Sequence, residues 1–164
     1  MTESTGISIL HVDDDSAFAG LTSEMLSKQA PQFTVEIVMS PSEGLERLDT
    51  TDFDCIVSDY QMPHQDGIEF LDAVREDYQN LPFILYTGEG SEAVASDAIA
   101  AGVTDYLQKG SGMGHYAVLA NKIRNAVESY RQRERLQASH DRLRQIIDML
   151  PQLVFAKNEV GEFL

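Results

Sequence analysis

The stretch Ile7-Ser8-Ile9-Leu10-His11-Val12-Asp13-Asp14-Asp15-Ser16 decides how the rest of the chain reads. A short apolar strand pattern runs straight into three consecutive acids. Ser16 then opens a helical stretch with Phe18, Leu21, Met25 and Leu26 at helical spacing. The same alternation recurs downstream. Phe33–Met39 reads as a second strand, and Ser40-Pro41-Ser42-Glu43 after it combines a capping box with proline at the first helical position. Phe53–Ser58 reads as a third strand ending at Asp59. Asp66-Gly67-Ile68-Glu69 is a further capped start leading into Phe70, Leu71 and Val74. Pro82–Tyr86 is a fourth strand ending at Thr87. Ser91 is placed to cap an alanine-rich helix that stops at Gly102, and Val103–Leu107 is a fifth strand ending at Lys109. Five strand–helix units with short connections predict an α/β fold, a parallel sheet with helices on both faces.

Composition agrees. With 164 residues, 43% hydrophobic and 24% charged, the chain can bury a real core, and its length suits one ordinary domain plus a short extension. No apolar run approaches the ~20 residues a membrane helix needs, and Met1–Gly6 has no secretory character. The single cysteine, Cys55, excludes an internal disulfide framework and a cysteine-built zinc site, so a reducing cytoplasm is the simplest home. The net charge of −15 argues against direct nucleic-acid binding. Residues 1–112 carry 21 acids against four bases, whereas residues 113–164 carry six against eight. An acidic surface with only four lysines is compatible with life in high salt, where screening removes the cost of self-repulsion.

From Tyr116 the pattern changes. Residues 115–150 contain no proline or glycine and read as one long helix. Tyr116, Ala120, Ile123, Val127 and Tyr130 step by fours and threes, the first part serving as the fifth helix on the sheet. Leu136, His140, Leu143, Ile147 and Leu150 repeat the step in a different register. Beyond about Tyr130 that stripe implies a partner helix, the simplest being a second copy of the chain. Pro151 ends the helix. The expected organisation is a domain over residues 5–130, a helical linker over 131–150 and a separate segment over 151–164.

In an open parallel sheet, ligands bind beyond the carboxyl ends of the strands, where the strand order reverses. Asp13 and Asp14 end the first strand, Asp59 the third, Thr87 the fourth and Lys109 the fifth. Adjacent first and third strands would bring three carboxylates together, and unit charges ~4 Å apart repel by ~1 kcal/mol or more even in water. A hard divalent cation relieves this, and Mg²⁺ suits carboxylate, water and phosphate oxygens. A hydroxyl and an ammonium opposite suit the remaining oxygens of a phosphoryl group.

Five motifs in order, Val12-Asp13-Asp14-Asp15, Ser58-Asp59-Tyr60-Gln61-Met62-Pro63, Asp66-Gly67, Leu85-Tyr86-Thr87-Gly88 and Gly102–Lys109, resemble the response-regulator receiver domain over residues 7–128. The resemblance implies a doubly wound, flavodoxin-like sheet with strand order 2-1-3-4-5 and a C-terminal extended helix. It implies that Asp59 accepts a phosphoryl group from a sensor histidine kinase. Asp14 would bind Mg²⁺ directly and Asp13 more often through water, with the main-chain carbonyl of Gln61 as a further ligand. Lys109 would pair with phosphoryl oxygens, Thr87 would donate its hydroxyl, and Tyr106 would reorient in response. Gln61 and Glu89 would tune attack by water on the phosphoaspartate. Asp15 looks like the family's third acid, a start for the first helix rather than a ligand. One departure stands out. Gly110 replaces the proline that usually follows the lysine, and Gly110-Ser-Gly-Met-Gly114 predicts a looser loop into the fifth helix.

Residues 146–163 resemble more weakly the opening of a PAS sensor domain, and the segment from the glycine-rich loop through Glu128 is similar to receivers of haloarchaeal signalling proteins. Together they imply a multidomain regulator, with a histidine kinase as one form of its far end. A haloacid-dehalogenase-type phosphatase built on Asp13 and Asp15 would need an acid soon after its lysine, and none lies between Lys109 and Glu128. A receiver-like module that works through protein contacts without phosphorylation is the alternative. The four histidines show no metal-ligand spacing, and His140 reads as a seam residue.

Overall fold

The computed structural model describes residues 6–88, 92–110 and 112–149. Glu89, the Ser91 cap, Leu150 and the PAS-like segment 151–164 lie outside the described residues. The chain divides into two compact units, Met1–Tyr130 and Arg131–Leu164.

The first unit holds β1 (Ile7–Val12), α1 (Ser16–Gln29), β2 (Phe33–Val38), α2 (Pro41–Thr50), β3 (Cys55–Ser58), α3 (Gly67–Asp77), β4 (Phe83–Thr87), α4 (Glu92–Ala100) and β5 (Asp105–Gln108). It also contains the first part of α5, a helix that runs from Met113 to Asp148. All strand pairs are parallel, in the order β2-β1-β3-β4-β5. The fifth strand starts two residues later than expected, at Asp105. Thr104 lies outside it, and its hydroxyl instead accepts the Phe83 N–H at 3.0 Å.

Alternation along the strands sends side chains to two cores. Ile7, Ile9, Cys55, Val57, Ile84 and Tyr86 face α1 and α5, against Leu26, Leu119, Ile123 and Val127. Leu10, Val12, Ile56, Phe83 and Leu85 face the other way, against Leu48, Phe70, Leu71, Val74 and Ala98. Each such aliphatic or aromatic side chain contributes about 1.5–3 kcal/mol on burial. In α1 the buried face is Ala19, Thr22 and Leu26, while Leu21 is exposed. Helical spacing alone does not say which of two neighbouring stripes meets the sheet.

The helix starts are fixed by side chains. Asp15 caps α1, its carboxylate accepting the Phe18 N–H at 3.1 Å. Asp66 and Glu69 form a complete capping box at α3. At α2, Ser40 accepts the Glu43 N–H at 3.2 Å, but the Glu43 carboxylate takes the N–H of Met39 rather than of Ser40. This box is therefore shifted back by one residue.

Gly67, the first residue of α3, decides where Asp59 sits. Its N–H donates to the Tyr60 carbonyl at 2.7 Å. A Cβ at this position would overlap the Asp59 carbonyl oxygen and lie 3.0 Å from the Tyr60 Cα. The helix can approach the Asp59 loop this closely only without a side chain. Gly67→Ala is therefore expected to destabilise the protein by about 1–3 kcal/mol. Urea unfolding should show this as a lower midpoint at unchanged slope.

Candidate functional site

The carboxyl ends of β1 and β3 are neighbours, with Val12 opposite Ser58. The backbone rungs continue one residue further: Asp13 N–H donates to Val38 O at 3.1 Å and Asp59 N–H to Val12 O at 2.9 Å. Asp13 and Asp59 are thereby carried by the last rungs of the sheet, and Asp14 follows on the loop. One carboxylate oxygen from each of Asp13, Asp14 and Asp59 lies within 4.8 Å of the others. The three differ in exposure: Asp13 is fully buried, Asp59 nearly so, and Asp14 faces solvent.

Lys109 is held on the opposite side. Its own N–H donates to Thr87 O at 2.7 Å, just past the end of β5. Its Nζ donates to Asp13 Oδ2 at 3.0 Å and lies 3.3 Å from Asp59 Oδ2. Phe18 and Tyr86 form an aromatic wall beside the ammonium, with ring centres 4.2 Å and 5.9 Å from Nζ. The second oxygen of Asp13 accepts the Asp15 N–H at 2.9 Å. The other oxygen of Asp59, Oδ1, accepts the Tyr60 N–H at 2.7 Å.

Burial is the main force on the Asp59 carboxyl, and with the Asp13 charge it raises the pKa. Lys109 and the Tyr60 amide oppose that shift without cancelling it. Two residues before Asp13, His11 is buried within β1 with its Nδ1 2.9 Å from Val57 O, and burial lowers its pKa. It is a neutral core histidine.

Asp14, Asp15, Asp59, Gln61, Thr87, Gly88 and Lys109 line one open cleft of about 340 Å³. The structure thus brings together Asp13, Asp14, Asp59, Gln61, Thr87 and Lys109. Tyr106 stands apart on β5, half-buried against the core on the α3/α4 side of the sheet. Asp15 is spent as the α1 cap, as its position after the acid pair suggested. Reading the chain alone missed Phe18 and Tyr86 as the wall beside Lys109, because both match ordinary core spacing. The cleft suits a hard cation by its donor set: clustered carboxylate oxygens, one of them solvent-facing, with no histidine or cysteine among its described lining residues.

Comparison with known proteins agrees with this geometry. Residues 9–121 match the response regulator receiver domain family, and the chain belongs to it. It is 32% identical over 98 residues to the transcriptional regulatory protein FixJ of Bradyrhizobium diazoefficiens, covering 60% of this chain and 47% of that one. It superposes on a CheY-like receiver domain protein from Methanospirillum hungatei with a TM-score of 0.70 and 25% identity, covering 79% of this chain and 99% of the other. The chemotaxis response regulator CheY4 of Vibrio cholerae gives a TM-score of 0.66 at 28% identity, over 73% and 99% of the two chains. The match spans about a quarter to a half of the length of the curated relatives, 47% of FixJ and 28% of the regulator RpfG of Xanthomonas campestris.

The raised Asp59 pKa has a consequence for stability without metal. The folded protein binds this proton more tightly than the unfolded chain, so stability falls as pH rises from the ordinary carboxylate value of 3.8 through the folded-state value. In chelator, Asp59→Asn should therefore be more stable than the parent at pH 7. Its advantage should shrink as pH is lowered through that window, as thermal melts across a pH series would record.

Proposed function

We propose that this receiver is a phosphorylated switch in which Asp59 is the phosphoacceptor. The observation that carries the reading is the convergence of Asp59 with the Asp13–Asp14 pair and Lys109 in one open cleft. A sensor histidine kinase supplies the phosphoryl group. An Asp59 carboxylate oxygen forms the new bond to phosphorus as the bond to the donor nitrogen breaks, and the departing imidazole takes up a proton. Lys109 stabilises charge on the phosphoryl oxygens, and the Thr87 hydroxyl donates to one of them.

Mg²⁺ is the cofactor that best fits the donor set; when bound, it neutralises charge on the carboxylates and the transferred group. Asp14 is its direct ligand in this reading. Asp13 acts more often through water, which agrees with its two oxygens already accepting from Lys109 and the Asp15 amide. Asp59 and the Gln61 carbonyl complete the protein ligands. Gln61, on the cleft rim, and Glu89 tune hydrolysis, and Thr87 with Tyr106 relays the phosphorylated state.

The output lies beyond the receiver. Residues 132–149 are exposed throughout, including Leu136, Leu143, Ile146, Ile147 and Met149. This apolar content on a helix that continues from the receiver supports pairing with a second copy, coupled to a PAS-type domain from residue 151 onward. The acidic, lysine-poor composition supports a halophilic, cytoplasmic setting. Among the described residues no helix is long and apolar enough to cross a membrane.

Incubation with Mg²⁺ and a small phosphodonor should add one phosphoryl group by intact mass. Asp59→Asn should abolish the gain and Asp14→Ala should greatly reduce it. Uptake that persists in Asp59→Asn would place the nucleophile elsewhere. Sedimentation should show the full chain more associated than a chain truncated after Glu128, at matched salt. Equal states would reduce the helix beyond Tyr130 to a tether.

A further inference from the structure

The residue after Lys109 is held in an unusual way. Gly110 was expected to loosen the loop into α5, yet its N–H donates to His115 Nε2 at 3.2 Å. The same Nε2 lies 2.8 Å from the Tyr86 hydroxyl. A backbone N–H can only donate, so Nε2 is the acceptor, the ring proton is on Nδ1, and the Tyr86 hydroxyl donates as well. The imidazole also stacks on the Tyr86 ring, with centroids 5.4 Å apart, and meets Tyr116 edge-on at 5.5 Å. Burial lowers the His115 pKa, which favours the unprotonated ring that these two donors require. A Cβ on Gly110 would come within 2.9 Å of the ring, so the ring can sit this close only to glycine.

These contacts reach Lys109 by two routes. One runs through the backbone, since Gly110 is the next residue and the Lys109 N–H is already fixed on Thr87 O. The other runs through Tyr86, whose ring stands beside the ammonium. We propose that His115 is a positioning residue that holds Lys109 on Asp13 and Asp59 through its contacts with Gly110 and Tyr86. Its effect on phosphoryl uptake rests on Asp59 being the acceptor; its effect on the Lys109 ammonium does not.

Two variants separate ring packing from the acceptor atom. His115→Phe keeps a ring against Tyr86 and removes the acceptor, whereas His115→Gln places an amide oxygen near the position of Nε2 and removes the ring. Both would be studied in the full chain, well below their melting temperatures, with acetyl phosphate and saturating Mg²⁺. The rate constant of phosphoryl uptake should fall roughly 3- to 10-fold in His115→Phe, as expected for the loss of a hydrogen bond or two, and stay within about twofold in His115→Gln. In the unphosphorylated protein, the ¹⁵N resonance of the Lys109 ammonium should shift in His115→Phe and return towards the parent value in His115→Gln. An unmoved resonance in both variants, or equal loss of rate in both, would overturn the positioning role. If the parent takes up no phosphoryl group but the resonance behaves as described, the Asp59 reading falls and the positioning of Lys109 stands.

Discussion

The Lys109 ammonium stands between two carboxylates that the sheet forces out of water. Asp13 is fully buried and Asp59 nearly so, at the ends of adjacent parallel strands. Two such charges side by side repel, and desolvation raises the cost of each. The amine from the far edge of the sheet, 3.0 Å from one and 3.3 Å from the other, offsets much of that cost. The opposition remains incomplete, which is why the Asp59 pKa is still raised. An incompletely neutralised, solvent-accessible acid cluster is the physical basis of the proposal that this site takes a cation and a phosphoryl group.

The architecture serves that cluster. Strand order β2-β1-β3-β4-β5 puts β1 and β3 side by side at the centre, so their terminal acids share one crevice. Lys109 reaches across from beyond β5 because its backbone is tied to Thr87 at the end of β4. Helix α3 locks the Asp59 loop from below through the close approach at Gly67. Asp15 withdraws from the cluster by capping α1 and in doing so donates its N–H to Asp13. Backbone donors thus orient carboxylate oxygens that would otherwise be free to rotate.

The aromatic side of the site ties it to α5. Phe18 from α1, Tyr86 from β4, and His115 and Tyr116 from α5 form a continuous set of ring contacts. The same helix buries Leu119, Ile123 and Val127 on the sheet and carries exposed apolar residues further along.

Much of this was legible in the chain. The alternation of strand and helix patterns, the capped helix starts at Asp66 and Ser40, and the acids, hydroxyl and amine at strand ends all follow from local rules of period and hydrogen bonding, which act over a few residues. Those rules do not extend to contacts between distant segments. That Leu21 points to solvent while Thr22 is buried, that Glu43 serves Met39 rather than Ser40, and that β5 begins at Asp105 depend on which neighbour competes for each group. Gly110 is a further case of a contact that local rules do not reach. Glycine alone predicts freedom, but here it admits an imidazole five residues ahead, whose Nε2 accepts the Gly110 N–H. Sequence determined which chemical groups stand at the strand ends. Tertiary structure decided how they are aimed, because hydrogen-bond direction, desolvation and ring contact are set by side chains that meet only once the sheet has formed.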